Sequence, residues 1–486
     1  MARYSTDNGL TWGEPTTLFT FPADGGDFSS GPALVTQAGT IHLFGLDYYD
    51  FAFRDDVKSR SLLWHARSTD GGKTWAAVQR PPFGFNYTGS VNGALQLKSG
   101  RILVPISAMD FSRRIGVGVS VVPYSDDDGA TWQSPVEKVT FNTGAADWYE
   151  SGAHEPVAVE LRDGRVWMLP RAQDGYQWEA FSNDAGVHWS PPQHSRFMSN
   201  QSAMAVLRLR DGRLLLFWNN CGAEGLGKIS WGEAERAIMA AAVSADEGKT
   251  WMGYREVARL IGNGQVSYPY ATQAPDGHVI LFLGGGNQLL KVNPEFLTRQ
   301  TLKDDFSQGL GRWSTLAAAG AEAVPDPDRP EARVLRLRRP QADMPGAACL
   351  NFPFANSGRL SATVRLDAGF QGAQFALTDH YDLPGLARDG SFPFRITAKG
   401  AVEIIGSGGT WLETPGVLKA GQWHEMVLAW DCDARRAVLT LDGTEVARIE
   451  QFVCAKGLCY LRLRSIAPAA DEAGLYLRGL EVSVQL

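Results

Sequence analysis

Cysteine and histidine are both scarce in this chain: 5 and 8 among 486 residues. Five cysteines over such a length do not make a disulfide scaffold. Four of them, Cys349, Cys432, Cys454 and Cys459, fall in the last third, and Cys221 stands alone. Cys454 and Cys459 are near enough to pair or to share a metal. No second Cys or His pair stands at zinc-site spacing, however, and no HExxH-like pair occurs. Small buried thiols are expected, with no metal site and no cofactor. Apolar runs are short as well. None approaches the roughly 20 residues that carry a helix across a bilayer, which excludes insertion of that kind. Basic charge is neither abundant nor clustered: 46 Lys and Arg stand against 53 Asp and Glu, for a net −7. A nucleic-acid partner is not expected from such a balance. The opening Met1-Ala2-Arg3-Tyr4 has no basic segment leading into an apolar one, so no secretory signal is visible, and the compartment stays open.

Glycine (53) and tryptophan (15) are plentiful, the mixture of short strands joined by tight turns. With 44% hydrophobic and 20% charged residues the chain is globular rather than disordered. Its length is too great for one core and suits two domains.

One octamer recurs five times. Ser5-Thr6-Asp7-Asn8-Gly9-Leu10-Thr11-Trp12 returns as Ser68 to Trp75, Ser125 to Trp132, Ser182 to Trp189 and Ser244 to Trp251, with His188 in place of Thr in the fourth copy. The physics is that of a hairpin turn. The third-position Asp can accept hydrogen bonds from the backbone that follows it, the fifth-position Gly supplies an unusual φ, and the Trp can fold back over the turn. These aspartates are expected to be structural, because a group repeated five times around a fold cannot sit in one active site. Between the octamers runs a second phrase, strand–Gly turn–strand. Examples are Pro32-Ala33-Leu34-Val35 with Ile41 to Phe44, Gly93 to Leu97 with Gly100 to Val104, and Val157 to Leu161 with Val166. It continues at Ala205-Val206-Leu207 with Leu214 and at Tyr270-Ala271-Thr272 with His278 to Leu281. Helical periodicity is nearly absent over residues 1–298. The repeat predicts a β-propeller, whose blades stack radially and hide their edges.

After Leu297 the octamer stops. Residues 317–330, rich in Ala, Pro and Asp, read as a loop. Alternating stretches at Arg333 to Arg338, Leu360 to Leu366, Gln422 to Leu428, Val438 to Asp442 and Gly474 to Arg478 read as strands with one solvated face. A β-sandwich over residues 303–486 is expected.

The five octamers resemble the Asp-boxes of sialidases (neuraminidases), and the resemblance covers residues 1–298. It implies an all-β fold: a six-bladed β-propeller, its first blade short of its leading strands. The tail resembles a laminin-G or concanavalin-like sandwich. The family resemblance implies a retaining exo-glycosidase that releases a terminal sialic acid or related carboxylated sugar, using a Tyr nucleophile, a Glu that activates it, an Asp acid/base and three arginines that clamp the substrate carboxylate. Arginine suits that clamp because its fork binds a carboxylate bidentately and stays charged. Carried over residue by residue, Tyr268 in Val266-Ser267-Tyr268-Pro269 matches the nucleophile. Glu155 in His154-Glu155-Pro156 matches its base, and Arg171 and Arg236 match two clamp arginines. Glu160, five positions beyond Glu155, is expected to point elsewhere. The family's first clamp arginine and its acid/base aspartate precede the first Asp-box, and here that box begins at Ser5. The strand at Pro32 is not the family's Arg-Ile-Pro phrase: Ser30-Gly31-Pro32 lacks the arginine, and its place in the repeat order fits the next blade. Asp47, Asp50, Arg54, Asp55 and Asp56 form a polar stretch given no roles. The expectation is therefore an N-terminally shortened copy of an active enzyme acting on a glycan or acidic sugar, with inactivity of the shortened chain left open. The competing reading is a carbohydrate-binding propeller without turnover.

Overall fold

Each octamer closes on itself through the same set of bonds. The Ser hydroxyl donates to one carboxylate oxygen of the Asp at 2.8–2.9 Å and accepts the Gly amide at 2.8–2.9 Å. The seventh residue then donates twice to that Asp, by its amide and by its side chain, including His188 Nδ1 at 2.6 Å from Asp184. The Thr11 and Thr74 hydroxyls, the largest influence, hold Asp7 and Asp70 at about 2, below the ordinary 3.8. They stay ionised as turn acceptors. The fifth-position glycines have φ of +75 to +89°, as the motif requires. The fourth position is left-handed too, in Asn8, Asp128, Ala185 and Glu247, so two successive positive φ values give the twist that suits a two-residue hairpin.

This architecture is seen in a computed structural model that describes residues 1–486 apart from 21–26, 51–59, 82–86, 111–116, 142–150, 223–235, 261–263, 386–389, 407 and 486. The chain is all-β: among the described residues no α-helix occurs, only a 3-10 turn at Pro294–Thr298. Contacts divide it into two units, 1–251 with 257–294, and 252–256 with 295–486.

Over residues 27–292 antiparallel sheets follow one another along the chain. One holds Asp27–Val35, Ile41–Asp50 and Arg60–Ser68, and residues 87–125 make two small sheets. Four-stranded sheets follow, from His154–Glu160 to Gln193–Met198 and from Ala205–Arg208 to Met252–Arg259, and then Pro269–Gln273, Val279–Leu283 and Gln288–Val292. The octamer glycines reveal how these sheets meet. A Cβ on Gly129 would lie 2.8 Å from His42, one on Gly186 2.9 Å from Leu103, and one on Gly248 3.8 Å from Trp167, in each case a residue of the preceding group of strands. Gly9, at the start of the chain, faces Ile280 of the last sheet at 2.5 Å. The sheets therefore pack in cyclic order, first upon last. Ala33, Leu95, Val159, Leu207 and Ala271, each from the leading strand of its sheet, line a common cavity of about 710 Å³ at the hub. This is the radial arrangement of a propeller.

The Gly129 contact exposes a buried histidine pair. His42 Nδ1 and His65 Nε2 are 2.9 Å apart, His65 stacks on Phe44, and Trp132 Nε1 lies 3.4 Å from His65 Nδ1. Facing them are Gln79, Asp128 (3.5 Å from His42 Nε2) and Arg67, which donates to the Asp128 carbonyl. Burial, the largest influence, lowers both imidazoles, with His65 falling from 6.5 to about 4 under the added push of His42. In the window between those values the unfolded chain binds more protons than the folded one. The stabilisation from the neutral pair is thus complete above pH 6.5 and lost as pH falls toward 4, at about 1.4 kcal/mol per pH unit per proton. Thermal unfolding of the native chain should lose midpoint across that window more steeply than the His42→Gln/His65→Gln variant. Parallel slopes would rule the pair out as the cause.

The second unit is a sandwich. One sheet runs in the order Ala321–Pro325, Arg333–Leu337, Leu475–Gln485, Ser357–Leu366, Trp423–Asp431, Arg436–Leu441, Thr444–Glu450. The other contains Ala347–Ala355, Leu458–Ser465, Gly372–Thr378, Phe394–Thr397, Ala401–Ile405 and Trp411–Val417. Leu360, Val364, Leu428 and Leu477 of the first meet Leu350, Phe352, Phe375 and Leu463 of the second in one core. Residues 317–330 are not all loop. Ala321–Pro325 pairs with Arg333–Leu337 as an edge strand, and Pro325 is tolerated because it ends the strand at the sheet's margin. None of the five cysteines, all among the described residues, forms a disulfide, and of the five only Cys454 is exposed.

Candidate active site

The site is assembled where sheet ladders break. His154–Glu160 and Val166–Arg171 are antiparallel neighbours, so the first residue of one strand faces the last of the other: His154 pairs with Arg171. A bulge between His154 and Val157 then lifts Glu155 out of the ladder, at a φ of +40°. Tyr268, immediately before Pro269–Gln273, has a φ of +55°. Left-handed backbone at non-glycine residues is costly, of order 1–3 kcal/mol each, and tends to persist where function re-aims a side chain. Both residues expected to carry chemistry adopt it.

The four predicted side chains are brought together. Arg171 Nη1 donates to Glu155 Oε2 at 2.6 Å, in an ion pair whose side chains are only 3% and 2% exposed. The same nitrogen lies 3.4 Å from the Tyr268 hydroxyl. The Arg236 guanidinium carbon stands 5.1 Å from the centre of the Tyr268 ring, a cation–π distance. Arg236 is itself held by Gln265 Oε1 at 2.7 Å and the Gln201 carbonyl at 2.8 Å. A carboxylate, a phenol and two guanidinium groups thus form one cluster drawn from three sheets.

Its electrostatics are opposed by design of position. Burial, the largest influence on Glu155, pushes its carboxyl up, but the charge and hydrogen bond of Arg171, then Arg236 and His154, bring it below the ordinary 4.5. Glu155 is ionised at neutral pH. Burial, then Glu155, raises the Tyr268 phenol above 10, against the pull of Arg171 and Arg236. The resting phenol is neutral and has an ionised carboxylate beside it, the arrangement in which a phenol becomes a nucleophile only by giving up its proton.

Other predicted positions lie elsewhere. Glu160 accepts the Lys98 amide at 2.8 Å, at the far end of its strand from Glu155. Asp47 is buried and ion-paired with Arg80 at 2.7 Å. The Asp50 side chain and Arg54, Asp55 and Asp56 lie outside the described residues. Sequence reasoning missed Tyr48, whose hydroxyl donates to the Gly89 carbonyl, and Ser90, 3.4 Å from Glu155 Oε1. It also left Tyr270 without a task, and that phenol donates to the Val91 carbonyl at 3.2 Å. No metal-ligand cluster of His, Cys, Asp or Glu occurs among the described residues.

A family model described as a BNR repeat-like domain matches residues 1–281. The chain is 29% identical over 327 residues to a sialidase of Micromonospora viridifaciens, across 60% of this chain and 46% of that protein. It is 25% identical over 250 residues to a sialidase of Bacteroides fragilis, across 45% of this chain and 42% of that protein. It therefore spans less than half the length of these curated relatives. Among solved structures, Trypanosoma rangeli sialidase aligns with 100% of this chain and 86% of its own at 13% identity and a TM-score of 0.44. The family model spans more than half of the sequence, and the chain belongs to the BNR repeat-like (sialidase/BNR-repeat) family.

Proposed function

We propose that this chain is a retaining exo-glycosidase of sialidase type, acting on a terminal sialic acid or related carboxylated sugar. Its catalytic unit would be a six-bladed propeller over residues 1–298, with the sandwich at 303–486 as a second domain. The observation that carries the reading is the position of Arg171 Nη1, bonded to Glu155 and within reach of the Tyr268 hydroxyl, with Arg236 against the same ring. Tyr268 attacks the anomeric carbon while Glu155 takes the phenol proton. The bond to the departing oxygen breaks, that oxygen leaving as an alcohol on taking up a proton. Water then cleaves the glycosyl–tyrosine bond to release the sugar and return the phenol its proton. Arg171 and Arg236 hold the substrate carboxylate. A neutral nucleophile suits an anionic sugar, because a carboxylate in its place would meet charge repulsion at the reacting carbon.

Calorimetry with free sialic acid and turnover of a fluorogenic sialoside test the reading together. Removing one charged donor costs about 1.5–3 kcal/mol, so Arg236→Ala should weaken sialic acid binding by roughly 10- to 100-fold. Binding to the native chain without turnover would favour a carbohydrate-binding propeller, and neither binding nor turnover would remove sialosides as ligands.

A further inference from the structure

A short turn beside the ion pair has no place in the chemistry above, yet two tyrosines from different sheets converge on it. Gly89 has a φ of +71°, and a Cβ there would lie 2.7 Å from both Cγ and Oε1 of Glu155. The space a side chain at residue 89 would need is thus filled by Glu155, and the left-handed φ also favours glycine. Two phenols from different sheets grip this turn by its carbonyl oxygens. Tyr48, on Ile41–Asp50, donates to Gly89 O, and Tyr270, on Pro269–Gln273, donates to Val91 O at 3.2 Å. Between them the Ser90 hydroxyl lies 2.7 Å from Asn92 Oδ1 and 3.4 Å from Glu155 Oε1. The shorter bond takes the single hydroxyl proton, so Ser90 serves mainly to brace the turn through Asn92.

We propose that the Gly89–Val91 turn is a positioning device for Glu155: Tyr48 and Tyr270 anchor it by its carbonyls, and it presses the carboxylate onto Arg171. Its kinetic consequence rests on the glycosidase reading above, but its structural content does not. The donors are suited to the task. Burial, the largest influence, and then nearby Glu155 raise Tyr270, and burial raises Tyr48 with Glu155, Tyr268 and Tyr270 adding to it. Both phenols keep their protons across the working pH range and remain donors. The charged and titratable groups facing Glu155 are Arg171, Arg236, His154, Tyr268, Tyr48 and Tyr270. The turn adds no charge to this set. Its effect is geometric: it fixes the 2.6 Å contact that keeps Glu155 ionised.

The test reads Glu155 directly, by carbon NMR titration of the full chain labelled at the glutamate carboxyl carbon, with the signal assigned by its loss in Glu155→Gln. Gly89→Ala should raise the Glu155 midpoint by about one pH unit or more, as the carboxylate is forced off Arg171. Tyr48→Phe, a milder change that keeps the ring, should raise it by less, and Tyr48→Phe/Tyr270→Phe by more than either alone. In sialoside turnover the same variants should lower kcat with KM little changed and move the acidic limb of the pH profile upward in the same order. Folded variants with unaltered midpoints would overturn the positioning role, even if the native chain turns over sialosides. A native chain without turnover would sink the glycosidase reading, and the titration would still decide the role of the turn.

Discussion

Replacing Tyr268 by Phe is expected to lower kcat for a fluorogenic sialoside by roughly 10³-fold or more while leaving the chain folded. The substitution removes one oxygen. That oxygen meets Arg171 at 3.4 Å, too long for a strong bond, so its loss should cost no more than about 1 kcal/mol of stability. The ring keeps the Arg236 guanidinium on its face, and the Cβ keeps its place beside Gly284, where a Cβ would lie 3.5 Å away. The backbone, with its φ of +55°, does not depend on the hydroxyl. Arg171 and Arg236 remain to hold a carboxylate, so KM should change little. A loss confined to kcat is the signature of a group needed in the transition state alone. Turnover within a few-fold of the native chain would mean that the phenol is not the nucleophile.

The second large effect is on stability. Arg171→Met should destabilise the fold by about 3–5 kcal/mol at neutral pH, because it strands an ionised, buried carboxylate. The pH dependence has a definite sign. Glu155 is held below its ordinary 4.5, so the ion pair contributes stability that is full above that value and lost as pH falls through the lowered one. In Arg171→Met the carboxyl loses its largest lowering influence while burial continues to raise it. The variant should therefore recover relative to the native chain as the medium turns acid. Adding Glu155→Gln should restore most of the loss at neutral pH, since a buried amide has no charge to leave uncompensated. Thermal or denaturant unfolding of the native chain and these two variants at neutral and acidic pH checks all of this. An Arg171→Met chain as stable as the native one at neutral pH would mean the pair contributes nothing to holding the site.

What could be read from the residues follows how local the interactions are. The octamer turn closes within eight residues through Ser, Asp and Thr side chains, so its geometry is legible from its letters. The left-handed fourth position was legible only in part: Asn8, Gly71 and Asp128 tolerate that φ, whereas Ala185 and Glu247 take it because the turn imposes it. The edge strand Ala321–Pro325 was hidden by its composition and is held by pairing to Arg333–Leu337. At the site, Glu155, Arg171, Arg236 and Tyr268 stand out because each bears a reactive or charged group in a phrase that a known family shares. Tyr48 and Gly89 do not stand out. Tyr48 acts through a backbone carbonyl in another sheet, and Gly89 acts by having no side chain where Glu155 needs room. Neither role leaves a mark in the local pattern.

Most directly, the account can be tested by incubating the chain with 2,3-difluorosialic acid, whose ring fluorine slows release of a glycosyl-enzyme, and measuring the intact mass. One sialyl adduct per chain, mapped by peptide digestion to Tyr268 and absent from Tyr268→Phe, is the predicted result. An adduct on any other residue, or an unmodified chain that nonetheless hydrolyses sialosides, would contradict it.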